Sequence, residues 1–283
     1  MSAPRRAATR DAPWFAGLMI AIGLAYVVFV LVLPLAAVFV EALQRGVGAF
    51  LSSIAEPDAL SAMRLTLLVT AIAVPLNTVF GLAAAWAITK FEFVGKSTLL
   101  TLIDLPLSVS PVISGLVYVL LYSAHGWFGP FFIERGMEII FAVPGIVLAT
   151  TLVTFPYVAR ELIPLMQQQG ADEEAAAATL GAGPLRTFLL VTLPNVKWAL
   201  MYGVLLCTAR AMGEFGAVSV VSGHIRGETA TMPLHVEILY NEYNFVAAFA
   251  IAAVLALFAL VTLAVKTLLE RQFSGELAAQ RGE

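Results

Sequence analysis

The sequence predicts an all-α integral membrane protein with six transmembrane helices. Three observations carry this. The chain of 283 residues is 60% hydrophobic and 12% charged, where a soluble domain carries roughly 25% charged residues. Its mean hydropathy is +0.90. Its charges are spaced so that six apolar intervals reach about 20 residues, the length a helix needs to cross a bilayer core. A spanning barrel would show short alternating segments instead.

Residues 1–13 form a predicted cytoplasmic tail holding Arg5, Arg6 and Arg10. No charge occurs between Asp11 and Glu41, which places the first span near 15–40. That run is much longer than the apolar core of a signal peptide, about 7–15 residues, so it is read as a retained span. The second span fills 65–89, between Arg64 and Lys90. Its Gly81, Ala83, Ala84 and Ala85 let helix backbones approach closely. The third covers 98–123 and contains Asp104; the fourth fills 139–159, between Glu138 and Arg160. The fifth covers 198–222 and contains Arg210 and Glu214; the sixth fills 243–265. Residues 14–270 are thus the membrane domain and 271–283 a second cytoplasmic tail. Pro75, Pro106, Pro111 and Pro144, within or at the ends of spans, each remove a backbone donor and favour kinks.

Six spans put both termini on one side, and positive charge decides which. With the termini inside, the inner segments hold eleven Lys and Arg, and the outer segments hold Arg45, Arg64, Arg135 and Arg226. This bias predicts cytoplasmic termini in a plasma membrane. Trp14, Trp198 and Tyr240 fall near span ends, where amphipathic rings favour the interface. The net charge of −3 forms no basic stripe, so nucleic acid is not an expected partner, while lipid is. Cys207, alone, reads as a packing residue. His125, His224 and His235 lack metal-ligand spacing and read as loop residues, so no metal is expected.

Residues 160–197 form the longest polar interval. A structureless loop of this length would be unusual, and its content argues for short helices. Asp172, Glu173 and Glu174 suit a helix N-terminus. Ala175, Ala176, Ala177 and Ala178 are strong helix formers with minimal side chains. Gly181 and Gly183-Pro184 break the helix, with Ala182 between them in the same loop, and Pro184 can begin the next. Such a small-residue helix either lets a partner approach closely or lies as a linker on the membrane surface.

The same stretch resembles the cytoplasmic coupling loop of ABC importer permeases. From Gly181, nine residues lead to Val191-Thr192-Leu193-Pro194, as in that family. Upstream, Ala175 stands six before Gly181 where the family carries glutamate, and Glu174 is one residue early. The resemblance covers nearly the whole chain. Asn77-Thr78-Val79-Phe80-Gly81, Asp104-Leu105-Pro106, Ser110-Pro111-Val112 and Arg210-Ala211-Met212-Gly213-Glu214-Phe215-Gly216 look like the sulfate and molybdate permease group. The run Ser222-Gly223-His224-Ile225-Arg226-Gly227-Glu228-Thr229 looks most like the W-type subunits of sulfate/thiosulfate importers. The resemblance implies a type I importer permease fold, with a coupling helix docked on an ABC ATPase homodimer that binds ATP and Mg. It further implies a second, T-type permease chain and an external sulfate-binding protein.

Three charges fall inside spans. An ionised residue at a helix centre costs roughly 2.5–3.5 kcal/mol on insertion scales, so such residues face a bundle interior or a cavity. Arg210 and Glu214, four apart, can pair on one helix face. Ser108 and Ser110 lie at a depth similar to Arg210, so an oxyanion could meet hydroxyls and a guanidinium together. A structural ion pair, or a pair between Arg210 and Asp104, is the other reading. No phosphate-binding loop, His-Glu-x-x-His, CxxC or G-x-S-x-G occurs, so the chain is not expected to be an enzyme or to bind a cofactor itself. An autonomous secondary transporter or channel is the alternative. The choice of sulfate over molybdate, tungstate or another oxyanion rests on the resemblance alone.

Overall fold

A computed structural model describes residues 13–272, so the two predicted tails lie almost wholly outside the described residues. What is described is helical throughout. α1 (Pro13–Val27), a π-helical turn (Val28–Val32) and α2 (Leu33–Leu43) run on as one helix, followed by the short α3 (Gly46–Ala55). α4 (Pro57–Lys90), α5 (Lys96–Ser108), α6 (Pro111–Tyr122), α7 (Gly129–Ile133) and α8 (Val143–Gln169) come next. α9 (Asp172–Thr179) precedes α10 (Pro184–Thr187), a second π turn (Phe188–Thr192) and α11 (Leu193–Met212), the last three again continuous. α12 (Gly216–Val221), α13 (Met232–Asn241) and α14 (Phe245–Gln272) are the last elements of the described residues.

Among the described residues, five helices are long and apolar enough to cross a membrane: Trp14–Leu43, Pro57–Lys90, Val143–Gln169, Pro184–Met212 and Phe245–Leu269. The sixth expected span is not one helix. α5 and α6 meet at 108°. Pro111 begins α6 and disfavours helical backbone at Ser110, whose ψ is 133°, so the chain turns there. The fifth span also differs: α11 ends at Met212, and only the short α12 follows. The fourth runs on to Gln169, so Arg160 lies within a helix rather than at its flank. Pro111 and Pro144 start helices rather than bend them, because a first turn has no use for the missing N–H. His235 is on α13 and buried, not in a loop.

Both π turns stand directly before a Leu-Pro pair, Leu33-Pro34 and Leu193-Pro194. A proline within a helix removes one i→i−4 bond, and a widened turn accommodates the gap.

The bundle centres on α4, α8 and α11. A Cβ added at Gly81 of α4 would lie 2.9 Å from Val158 Cβ, and one at Gly203 of α11 would lie 3.1 Å from Val158 Cα. The two glycines therefore admit α8 between them. Beside this crossing, Asn77 Nδ2 donates to Thr154 Oγ1 at 2.7 Å and to the Thr151 carbonyl at 3.1 Å. Cys207 Sγ lies 3.7 Å from the Asn77 amide nitrogen, and Asn77 and Cys207 are both fully buried. Three helices thus share one polar knot inside an apolar core of Ile88, Ile103, Leu162, Met166 and Val196.

The bent third span packs on α12. A Cβ at Gly115 of α6 would approach the Ala217 carbonyl of α12 to 2.7 Å, and one at Gly216 would lie 3.0 Å from Pro111 Cβ. α14 lies against α2, α3 and α13. The most hydropathic window of Trp14–Leu43 has no buried residue.

Leucine at Gly81 would overfill the α4–α8 contact, and such overpacking costs about 1–3 kcal/mol. Gly17 has nothing within 4 Å of the place a Cβ would take, so it should accept leucine without loss. Thermal unfolding of the detergent-purified chain should show Gly81→Leu lowered and Gly17→Leu unchanged. Equal midpoints would remove the close approach as a determinant of stability.

Candidate functional site

The segment between α8 and α11 folds as a compact hairpin at one end of the bundle. α8 stops at Gly170, whose φ of 71° is open to glycine. Asp172, Glu173 and Glu174 fill the first turn of α9, where their charge meets the positive end of the helix. The far end closes as a Schellman motif. Ala182 N–H donates to the Ala177 carbonyl and Gly181 N–H to the Ala178 carbonyl, each at 3.0 Å, with Gly181 at φ 83°. Gly183 is extended ahead of Pro184, which opens α10.

Three helix ends clasp this hairpin. Lys90 Nζ, at the last residue of α4, lies 2.7 Å from Glu174 Oε1 and also donates to the Gly170 carbonyl. Thr192 Oγ1 donates to the same Glu174 oxygen at 3.1 Å. Asn195 Nδ2 donates to Glu173 Oε2, and Gln169 Nε2 donates to the Asn195 carbonyl at 3.2 Å. Glu174 therefore points back into its own subunit. Partial burial pushes its carboxyl up, but the Lys90 ammonium, its own backbone N–H and the Thr192 hydroxyl outweigh this and hold it below the usual carboxylate range.

The outward side of the hairpin is small and apolar. Ala175, Ala176, Ala178, Gly181 and Gly183 are exposed, while Ala177 and Ala182 are half-buried. Leu180 is 89% exposed and Leu185 71%, and Leu185, Leu189 and Leu190 line a shallow depression beside Pro184. The predicted coupling residues are thus brought together, but in two roles of geometry: Glu173 and Glu174 bond inward, and the alanines and Gly181 face out.

The intramembrane charges form two separate pairs. Arg210 Nη1 lies 2.6 Å from Glu214 Oε2. They do not share a helix face, since α11 ends at Met212 and Glu214 lies in the break, where its Oε1 accepts the Ala217 N–H of α12 at 3.0 Å. Asp104 pairs across helices with Arg160 rather than with Arg210, Nε to Oδ1 at 3.1 Å. Ser108 ends α5 and Ser110 precedes α6, so the two hydroxyl residues flank the bend.

Sequence alone does not single out Lys90, Thr192, Asn195, Asn77, Thr154 or Arg160 for these roles. Arg160 is within its reach: Leu162, Ile163, Leu165 and Met166 after it keep helical apolar spacing, which extends the fourth span past it.

With the bent α5–α6 pair counted as the third span, the clasped hairpin falls between the fourth and fifth, where the resemblance to importer permeases places the coupling loop. Residues 77–275 match the family described as binding-protein-dependent transport system inner membrane component, and the chain belongs to it. It is 51% identical over 255 residues to the sulfate transport system permease protein CysW of Synechocystis sp., covering 90% of this chain and 92% of that one. It is 47% identical over 280 residues to the CysW protein of Escherichia coli, covering 99% and 96%. Among solved structures, a bacterial alginate ABC transporter in complex with an alginate pentasaccharide-bound periplasmic protein shares the fold, with a TM-score of 0.72 at 17% identity over 92% of this chain and 94% of that one.

Two outcomes follow from the hairpin. Gly181→Asn should be tolerated better than Gly181→Val, because no neighbour lies within 4 Å of the added Cβ and only the positive φ opposes a side chain. Circular dichroism melts of the two variants check this. The Glu174 carboxylate is held below its ordinary range, so the clasp is present above the ordinary carboxylate pKa and is lost as pH falls through the lowered value. Glu174→Gln should remove that dependence and speed α9 amide exchange about fivefold at neutral pH, the equivalent of about 1 kcal/mol for a partly exposed pair. Exchange in α9 that is indifferent to Glu174→Gln would show that the clasp does not hold the hairpin.

Proposed function

We propose that this chain is a permease subunit of an ATP-driven ABC importer that carries sulfate or thiosulfate into the cytoplasm. The observation that carries this is the hairpin: small outward residues, Gly181 at its turn, and a rigid tie to the ends of α4, α8 and α11. The names of the relatives supply the substrate class. In this reading both termini are cytoplasmic, as the distribution of Lys and Arg favours.

The outward alanines, Leu180 and Leu185 form the docking face for an ABC ATPase homodimer, which holds the ATP and Mg. Nucleotide binding closes that dimer and draws the hairpin with it. The clasp passes the displacement to three helix ends together. A second permease chain of the T type completes the path, and an external sulfate-binding protein delivers the anion on the opposite side. Molybdate or tungstate would meet the same groups, since all are tetrahedral divalent oxyanions.

Arg210, Glu214, Ser108 and Ser110 stand at the two helix breaks, which pack together through Pro111 and Gly216. Glu214 bonds the α12 backbone and holds Arg210. In this role the pair fixes the geometry of the break rather than binding anion tightly, since a dianion would meet the Glu214 carboxylate as well.

Purification from native membranes should bring down an ATPase and a second permease, and liposomes containing that complex should take up sulfate only with ATP and a binding protein. Gly181→Trp should abolish ATPase association and uptake together. Uptake by the solitary chain without ATP, or full activity of Gly181→Trp, would overturn the reading.

A further inference from the structure

The Asp104–Arg160 pair is at the wrong place for a lipid-facing surface. Asp104 is eight residues from the start of α5 at Lys96, about 12 Å at 1.5 Å per residue. Arg160 is nine residues before the end of α8 at Gln169, about 14 Å. Both distances are measured from the end of the bundle that carries the hairpin, since Lys90, Gly170 and Glu174 meet there. At that depth the side chains are 49% and 58% exposed. A lone arginine could snorkel toward the headgroups. This one is bonded through Nε to a short aspartate that cannot follow.

The pair is also not isolated. Ser97, Thr101, Asp104 and Ser108 follow one another at spacings of four, three and four residues along α5. At about 100° per residue they fall within one narrow arc of the helix. That arc lies away from Ile103 and Pro106, the two buried residues of α5. Ser97, Thr101 and Ser108 are exposed. On α8, the exposed Gln167 falls two turns beyond Arg160 on the same side. A polar strip therefore runs along α5 from the hairpin end to the bend between α5 and α6, joined to α8 at Arg160.

We infer that this strip lines the cytoplasmic half of the anion path, with Arg160 as a contact for the passing tetrahedral dianion and Asp104 as the residue that positions it. The inference rests on the proposed function. Arg160 meets Asp104 through Nε at 3.1 Å, and its planar guanidinium carries further N–H donors that suit a tetrahedral oxyanion. Asp104 also keeps the pair neutral overall. A neutral pair gives weak, brief contact, which conduction needs, because a tightly held ion does not leave. The serine and threonine hydroxyls of α5 can donate to the same anion as it moves along the strip.

The test uses the complete transporter in liposomes, with Thr101→Cys, Ser108→Cys or Leu102→Cys in this chain. Leu102 is 56% exposed but lies at least about 100° around α5 from every strip residue. Cys207 is fully buried and serves as an unreactive background, checked in the unsubstituted complex. A charged, membrane-impermeant thiosulfonate should modify Thr101→Cys and Ser108→Cys at least tenfold faster than Leu102→Cys, read as the mass of this chain. Sulfate present during ATP turnover should slow both several-fold. Arg160→Gln should cut sulfate uptake per ATP hydrolysed at least tenfold, with Arg160→Lys partly restoring it.

Labelling of Thr101→Cys and Ser108→Cys no faster than Leu102→Cys would overturn the inference and make this face a packed contact with the second permease. Uptake by Arg160→Gln within twofold of the unsubstituted complex would overturn Arg160 as the contact. An unsubstituted complex that moves no sulfate, with the cysteines still reactive, would overturn the sulfate reading while the strip still lined a path.

Discussion

Everything else in this molecule hangs on the crossing of α4, α8 and α11. Lipid supplies no hydrophobic force between helices, so close backbone approach and buried hydrogen bonds must hold them. Gly81 and Gly203 admit Val158 from either side. Asn77 then binds Thr154 and the Thr151 carbonyl of α8, with Cys207 of α11 in contact. The hairpin-side ends of the same three helices supply Lys90, Gln169 and Asn195 to the clasp. The hairpin is rigid because the helices that hold it are themselves fixed to one another.

This arrangement turns the early glutamate toward its own subunit. With Ala175 at the motif position, Glu174 turns toward Lys90 and Thr192. The outward face is left to alanine, glycine and two exposed leucines, which suits contact by shape rather than by ion pairing. In the proposed coupling, movement applied to that face would reach α4, α8 and α11 through Lys90, Gln169 and Asn195.

The helical class and most span positions are legible in the sequence because charge is so costly in lipid that it marks the ends of spans. The turn chemistry of Gly181, Gly183 and Pro184 is legible for a local reason: each residue constrains its own backbone. What is not legible is tertiary. Nothing local to Lys90 names Glu174 as its partner, and nothing local to Asp104 prefers Arg160 to Arg210. The break at Gly213 escapes because it sits in a run apolar enough to pass for a continuous span; at Pro111 the proline marks a kink, but hydropathy carries no record of its size or direction. Arg160 reads as a border because charge ordinarily ends a span, whereas here it is paired within a helix.

The bend at Ser110 also bears on how the chain is made. α5 and α6, of 13 and 12 residues, are each too short to cross alone. A copy inserted without companions would show lipid an open turn of backbone, a half-exposed charge pair and a long N-terminal helix with nothing against its most apolar stretch. In the proposed assembly a second permease chain would cover these features, so the lifetime of a solitary copy in the membrane would follow the supply of that chain.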